Sequence, residues 1–497
     1  RVDLHTVHVP FYVVKGASIF VNTFGGDDVL TVDYTLGDFS KAINYDGGIN
    51  GATGDALALK NGRGSFADAV FGFVDSTSGT SDLTGNGQLS YTKLEPIDAS
   101  IDAENVTLNY SDTAETITVT AAGNQTQVTS TSGETLVFNN PTNSLTINGG
   151  DVGDDTIIVN GFGTGFNANV IINGEGGTGD TITWNVTDTI TTLTATSETI
   201  NIDSASVNTT GDQEYNGAVL LGASTVTLSG NDVTFNLTVD SANGTNHALV
   251  VSTSGAGVTT FNGDVGGTDR LGSLSTNVDG STSLGGDVNV VGDVLIGDAL
   301  TLTADATIDS DTGNLTFDET IDGAFALMLN SPGTTRLNER VGETTALTSL
   351  TTDAEGATEL NEPSGRNANP SIRTTGAQNY LDGVTVVSNT AFHAQSVLFD
   401  STLDGRRSVI VSVTGSLTFN DEVGGITELG AVQINTNGTT FINGGLVRSS
   451  NLQTYLNNVV VDSSINTTTF QSNASIRFGS NSSRRFHGAT DGEEAVV

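Results

Sequence analysis

The stretch VTFNLTVD at residues 233–240 returns as LTFDETID at 315–322 and again as VLFDSTLD at 397–404. Phe235, Phe317 and Phe399 are therefore evenly spaced and define an 82-residue repeat. Within the first copy Val233, Phe235, Leu237 and Val239 alternate with Thr234, Asn236, Thr238 and Asp240. Alternation with a period of two assigns one set to a buried face and the other to water, the pattern of a β-strand. A second marker follows in each copy: TTFNGDVGG at 259–267, TTRLNERVGE at 334–343 and LTFNDEVGG at 417–425. Val341 to Val423 keeps the full spacing while Val265 to Val341 falls six short, so the first copy carries a six-residue insertion, within SANGTNHALVVSTSGAGV. A third marker, TTGDQEY at 209–215, recurs as TTGAQNY at 374–380 and more weakly as SSNLQTY at 449–455.

Repeats in fixed order and spacing are the signature of a solenoid, in which each unit buries its apolar face against its neighbours. An 82-residue unit is too long for one coil and divides into about four coils of roughly 20 residues, each with two or three short strands. On that division the chain makes roughly 25 coils. The fold class predicted is all-β, a parallel β-helix of stacked coils with a β-rich region at its N-terminal side. Three regions are expected: 1–97, a β-rich or capping region; 98–207, an irregular solenoid with Gly-Asp turns; and 208–497, the solenoid of 82-residue repeats. The last repeat is cut short, since FHGATDGEEAVV at 486–497 aligns with FDSTLDGRRSVIV at 399–411 and FDETIDGAFALML at 317–329, which places Asp491, Asp404 and Asp322 in one position. An open coil is an unpaired sheet edge, to be completed by another subunit or by further chain.

Composition agrees with an elongated core. Of 497 residues 61 are Gly and only 6 are Pro, one is Met, and the hydrophobic share is 36%. Short β-branched runs punctuated by Gly, Asn and Asp are strand and turn material, and no run suits an amphipathic helix. The formal net charge of −40 disfavours nucleic acid and anionic lipid, both of which require basic patches. No Cys is present, so no disulfide staples the chain. No apolar run approaches the ~20 residues of a membrane helix. The first residue is Arg1 and no signal-peptide pattern follows, which reads as a processed chain or a piece of a longer one.

GGDDVLTVDY at 25–34, YTKLEPID at 91–98, LVFNNPTNSLTINGGDVGDDTIIVNG at 136–161 and the 82-residue unit together resemble very large repetitive bacterial surface proteins of the filamentous haemagglutinin and autotransporter-adhesin type. The resemblance covers nearly the whole chain. It implies a β-helical, exported, multi-unit protein at the bacterial surface and no active site. The Gly-Asp turns are also similar to calcium-binding nonapeptide repeats, but GGTGDTI at 176–182 lacks one spacer residue and no tandem copies follow. No cofactor is expected, calcium being the one ion that the Gly-Asp turns bring into question.

A search for chemistry finds little. The histidines are His5, His8, His247, His393 and His487; His5 and His8, three apart on a strand, face opposite ways and do not share a metal. Nucleophile elbows and P-loops are missing, and without Cys thiol catalysis is excluded. The enzymatic rival is a polysaccharide lyase or hydrolase, which needs paired carboxylates and, for lyases, a base or cation nearby. No Lys or Arg lies between Lys93 and Arg270, and Arg336, Arg340, Arg406, Arg407, Arg484 and Arg485 fall at non-equivalent places in the repeat. We expect no enzyme and no catalytic, cofactor-binding or metal residues. Sequons such as Asn105-Val-Thr and Asn466-Thr-Thr are what this composition produces by chance. The expected role is a structural subunit of an extracellular fibre or sheath, self-associating head to tail through its ends; the alternative is a monomeric adhesin stalk that binds surface or matrix polysaccharide.

Overall fold

The computed structural model describes residues 15–52, 54–60, 64–174, 176–362, 371–462, 464, 467–479 and 486–488. His5, His8 and Asp491, and with them the opening apolar strand up to residue 14, lie outside the described residues. The chain is a parallel β-solenoid, 54% strand and about 1% helix. Contacts divide it into two compact units, Arg1–Ala223 and Ser224–Val497.

In the second unit each coil has three strands, and the strands form three parallel faces. One face runs Val233–Phe235, Val258–Phe261, Ser281–Leu284, Ala299–Leu302 and Ile321–Asp322, and continues through Val341 to Ile372–Arg373 and on to Ile476–Phe478. A second begins at Thr225–Gly230 and passes through Leu315–Phe317 to Gly383–Val386 and Leu403–Asp404. The third passes through Val288–Val290, Ala326–Asn330, Ser396–Phe399 and Leu417–Phe419. Burial alternates along the strands as the sequence dictates: Val226, Leu228, Val233, Phe235, Leu249 and Val251 are all 0% exposed. Leu237 is the exception. The strand ends at Phe235, the chain turns a corner, and Leu237 is 53% exposed instead of sharing the inward face.

The repeat holds close to the four coils expected, but not a whole number of them. From Val233–Phe235 to the equivalent Leu315–Phe317 the chain takes eleven strand steps, counting the Val265 bridge, and from there to Ser396–Phe399 it takes eleven more, counting Val341. Eleven steps on a three-sided coil are three and two-thirds turns. Phe235, Phe317 and Phe399 all point inward, but each lies on a different face. Coil length varies, from the short turn that stacks Leu302 on Leu284 to the much longer one that brings Ile372 over Val341. The two units together hold about 19 coils, fewer than the sequence division predicts.

The repeated markers are the parts that hold these coils. Phe399 is stacked between Tyr380 (5.2 Å, 11°) and Phe419 (5.4 Å, 8°), and Phe235 lies over Phe261 (5.2 Å, 1°). In TTGxQxY the glutamine is buried: Gln378 Nε2 donates to the Ile372 carbonyl (3.2 Å), and its Oε1 accepts from the Tyr380 hydroxyl (3.3 Å). Gln213 with Tyr215 and Gln453 with Tyr455 repeat the arrangement, so each inward hydroxyl is satisfied by a neighbour two residues away. In the VGG marker Gly266, Gly342 and Gly424 have φ of +69°, +73° and +70°, and a Cβ there meets the carbonyl oxygen of residue 289, 373 or 448 within 2.1–2.3 Å. Only glycine meets both demands.

The first unit is less regular. Parallel stacking, for example of Val29–Asp33, Ala56–Lys60 and Ile97–Ser100, is interrupted by two antiparallel excursions, Phe66–Asp75 with Ser78–Leu83 and Thr116–Ala122 with Gln125–Ser130. These lengthen the coils that contain them, so that the chain next returns to Leu57 only at Ile97. The extra residues of the first repeat copy fall in two loops, on either side of Ala248–Thr253, and the first of them contains a 3-10 turn at Ala242–Gly244.

Candidate functional site

The acidic turns that bring calcium to mind are built as backbone clasps. In the first unit Asp155 Oδ1 accepts the Glu115 N–H (2.8 Å), Asp180 Oδ1 accepts the Asp155 N–H (2.7 Å), and Glu198 Oε2 accepts the Asp180 N–H (3.0 Å). Asp55 does the same for Asp28 (2.7 Å). Each carboxylate holds the turn of the adjacent coil, which is why Gly-Asp precedes so many strands. Burial pushes the Asp155 carboxyl up to about 6, and the neighbouring acids Asp180, Glu115 and Asp154 add to it. Glu134, buried beneath the Tyr91 hydroxyl (3.0 Å), is pushed up to about 7, again by burial first.

The repeats use carboxylates in two further ways. Asp240, Asp322 and Asp404 each accept two successive N–H groups of the next coil: Thr268 and Asp269 (2.8 and 3.1 Å), Thr344 and Thr345 (2.9 and 2.8 Å), Ile426 and Thr427 (both 2.9 Å). Asp298 is held by the hydroxyls of Thr276 (3.2 Å) and Thr282 (2.7 Å), and Asp382 by Thr352 and Thr358 (both 2.7 Å). Burial raises the pKa of both against the lowering effect of those hydroxyls. Among the described residues no group of three or more His, Asp or Glu is arranged to hold a metal ion. His247 and His393 are not brought together: His393 is exposed on the strand Thr390–Ala394, and His247 closes the inserted turn through its N–H to Ser241 Oγ (2.7 Å).

The basic residues behave differently. Arg340, 2% exposed, donates through Nε to Glu362 Oε1 (2.7 Å), whose other oxygen accepts from Ser371 Oγ (2.5 Å). Arg270 pairs with Asp309 (2.7 Å) and Arg336 with Glu359 (2.9 Å). Arg406, Arg407 and Arg448 enter none of the described ion pairs. Arg406 and Arg407 border a groove of about 510 Å³ lined also by Thr385, Val387, Thr402 and Ile426, and Arg406, Ile426 and Thr427 are shared with an adjoining hollow of about 300 Å³ that Glu428, Arg448 and Ser450 complete. No protein-family model and no curated protein matches this chain. What the groove can hold follows from its own geometry.

Sequence reasoning names Arg406 and Arg407 and their non-equivalent places but not Arg448, and it does not assemble this groove. Arg406 and Arg448 belong to different coils and are distant in the chain. They meet only because the stack sets Asp404 on Thr385 and bridges Leu403 through Val423 to Val447.

Proposed function

We propose that the chain is a structural subunit of an extracellular bacterial surface fibre or sheath, without a catalytic role or a cofactor, that joins to further copies through its solenoid ends. The observation that carries this reading is the parallel stack, in which each described coil covers the apolar row of the next through the same kind of strand edge. Ser18–Asn22 and Val29–Asp33 each have one strand partner among the described residues, and Ile19, Val21, Leu30 and Val32 are only half-covered, whereas Ile43, Tyr45, Leu57 and Leu59 one coil inward are buried. At the far side of the second unit Phe470, Ile476 and Phe478 are likewise half-covered above Val447, Gln453 and Tyr455. Coils that stack by parallel pairing within a chain use the same bonds and rows that a coil of the next copy offers, and a head-to-tail contact of this type continues without closing.

The test is negative-stain imaging of the full chain over a range of concentrations, beside Val21→Lys, which puts an ammonium into the end row. Long filaments of uniform width are expected for the parent and short rods for the variant. Single rods of the parent at every concentration, or filaments unchanged in the variant, refute the reading.

A further inference from the structure

We infer that the groove between Thr385 and Ser450 binds an acidic polysaccharide of the polyuronate class, whose hydroxyl-bearing sugar rings carry carboxylate groups. Its lining comes from four successive coils, at Thr385, at Thr402 with Arg406 and Arg407, at Ile426 with Thr427, and at Arg448 with Ser450. Strand rows about 4.8 Å apart give it a length of roughly 14 Å along the stack. Two of the three guanidinium groups are braced by backbone: Arg407 Nε donates to the Val387 carbonyl (3.0 Å), and Arg448 Nη2 to the Gly425 carbonyl (2.9 Å). Arg448 Nε is buried without a hydrogen-bond partner. Bracing by backbone carbonyls fixes the planar guanidinium without neutralising its charge, and a fixed guanidinium is the group that recognises a carboxylate.

Two features point to a ligand over a bland surface. In a chain with 57 acidic and 17 basic residues, Arg270, Arg336 and Arg340 have carboxylate partners, while the three arginines of the groove, like Arg373 and Arg477, have none among the described residues; the groove is where three of them gather. The pair Arg406-Arg407 also belongs to the third copy alone. The loop after the clasping aspartate reads Ser241-Ala242 in the first copy, Gly323-Ala324 in the second and Gly405-Arg406 in the third, so the frame is constant and this loop is not.

The lining restricts the ligand. Asp404 and Glu428 also face the groove, and the net charge is −40, so a densely charged polymer such as a nucleic acid is repelled. Thr385, Thr402, Thr427 and Ser450 supply hydroxyls to hydroxyls, and Ile426, 82% exposed, supplies an apolar platform for a sugar ring. This inference is independent of end-to-end joining.

The experiment measures affinity of the full chain for alginate, a polyuronate, and for neutral dextran, with R406Q/R407Q and R448Q beside the parent. Binding of alginate that weakens with added salt, weak or no binding of dextran, and at least a tenfold loss in R406Q/R407Q at unchanged Tm are expected. Equal retention of dextran, no binding of alginate by the parent, or undiminished binding by both variants overturns it. So does loss of filaments in R406Q/R407Q with alginate affinity intact, which assigns the groove to a contact between copies. Single rods in the micrographs with alginate binding preserved would instead overturn only the fibre reading.

Discussion

Replacing Phe399 by Ala tests the stacking that defines the second unit. The ring is 1% exposed, lies parallel to Tyr380 and Phe419, and meets Phe392 edge-on at 5.3 Å and 89°. Truncating a buried Phe costs about 3–5 kcal/mol, of which each aromatic pair supplies ~0.5–1.5 kcal/mol. Three such contacts place Phe399→Ala toward the upper part of that range. Phe441, on the same face but pointing outward and 37% exposed, is the control, and Phe441→Ala should cost under about 1 kcal/mol. Because each coil contacts only its neighbours, the loss should be local. Hydrogen exchange should rise in the strands Ala377–Tyr380, Ser396–Phe399 and Leu417–Phe419 and stay unchanged in the first unit. Denaturant melts followed by circular dichroism give the cost and exchange gives its location. Equal costs for the two variants, or exchange that rises throughout, would falsify the inward stack.

Other outcomes follow from the buried polar groups. Arg340→Ala strands the Glu362 carboxylate and should cost about 3–5 kcal/mol in a melt, while the double variant with Glu362→Leu should recover part of it. Gly342→Ala should destabilise more than Gly255→Ala: both have positive φ, +73° and +62°, but only the first meets a carbonyl, that of Arg373, at 2.2 Å. Raised carboxyl pKa values mean that the folded chain holds its protons more tightly than the unfolded one. For Asp155 and Glu134 the stabilisation is complete below pH ~4 and is lost as pH rises through about 6 and about 7, so Tm should fall across that window. For Asp155 the displacement from 3.8 to about 6 sets an upper bound of roughly 3 kcal/mol, and Asp155→Asn should flatten this part of the pH profile.

The sequence discloses the solenoid because its cause is local. Val233, Phe235 and Val239 declare their face by alternation, and the VGG marker declares a turn that only glycine can make. What it does not disclose is how strands are distributed round the axis. An alternating octapeptide such as VTFNLTVD does not show that the chain bends after Phe235, so Leu237 reads as core when it is a corner. The number of strands per turn depends on those corners, and with it the face on which each phenylalanine falls. The groove is illegible for the same reason, since its arginines come from different coils. Asp322 and Asp404 are visibly equivalent in the sequence, but their work, holding two N–H groups of the next coil, depends on stacking that the linear chain does not display.

Eleven strand steps laid on a three-sided coil bear on how such a chain can lengthen. Since 11 and 3 share no factor, every segment of the repeat occupies each side once in three copies, yet on every side it stacks on the same segment, the one three steps on. Duplication or loss of one whole copy therefore joins segments that already meet elsewhere in the unit. Length becomes a quantity that recombination can alter by whole copies without redesigning the lumen.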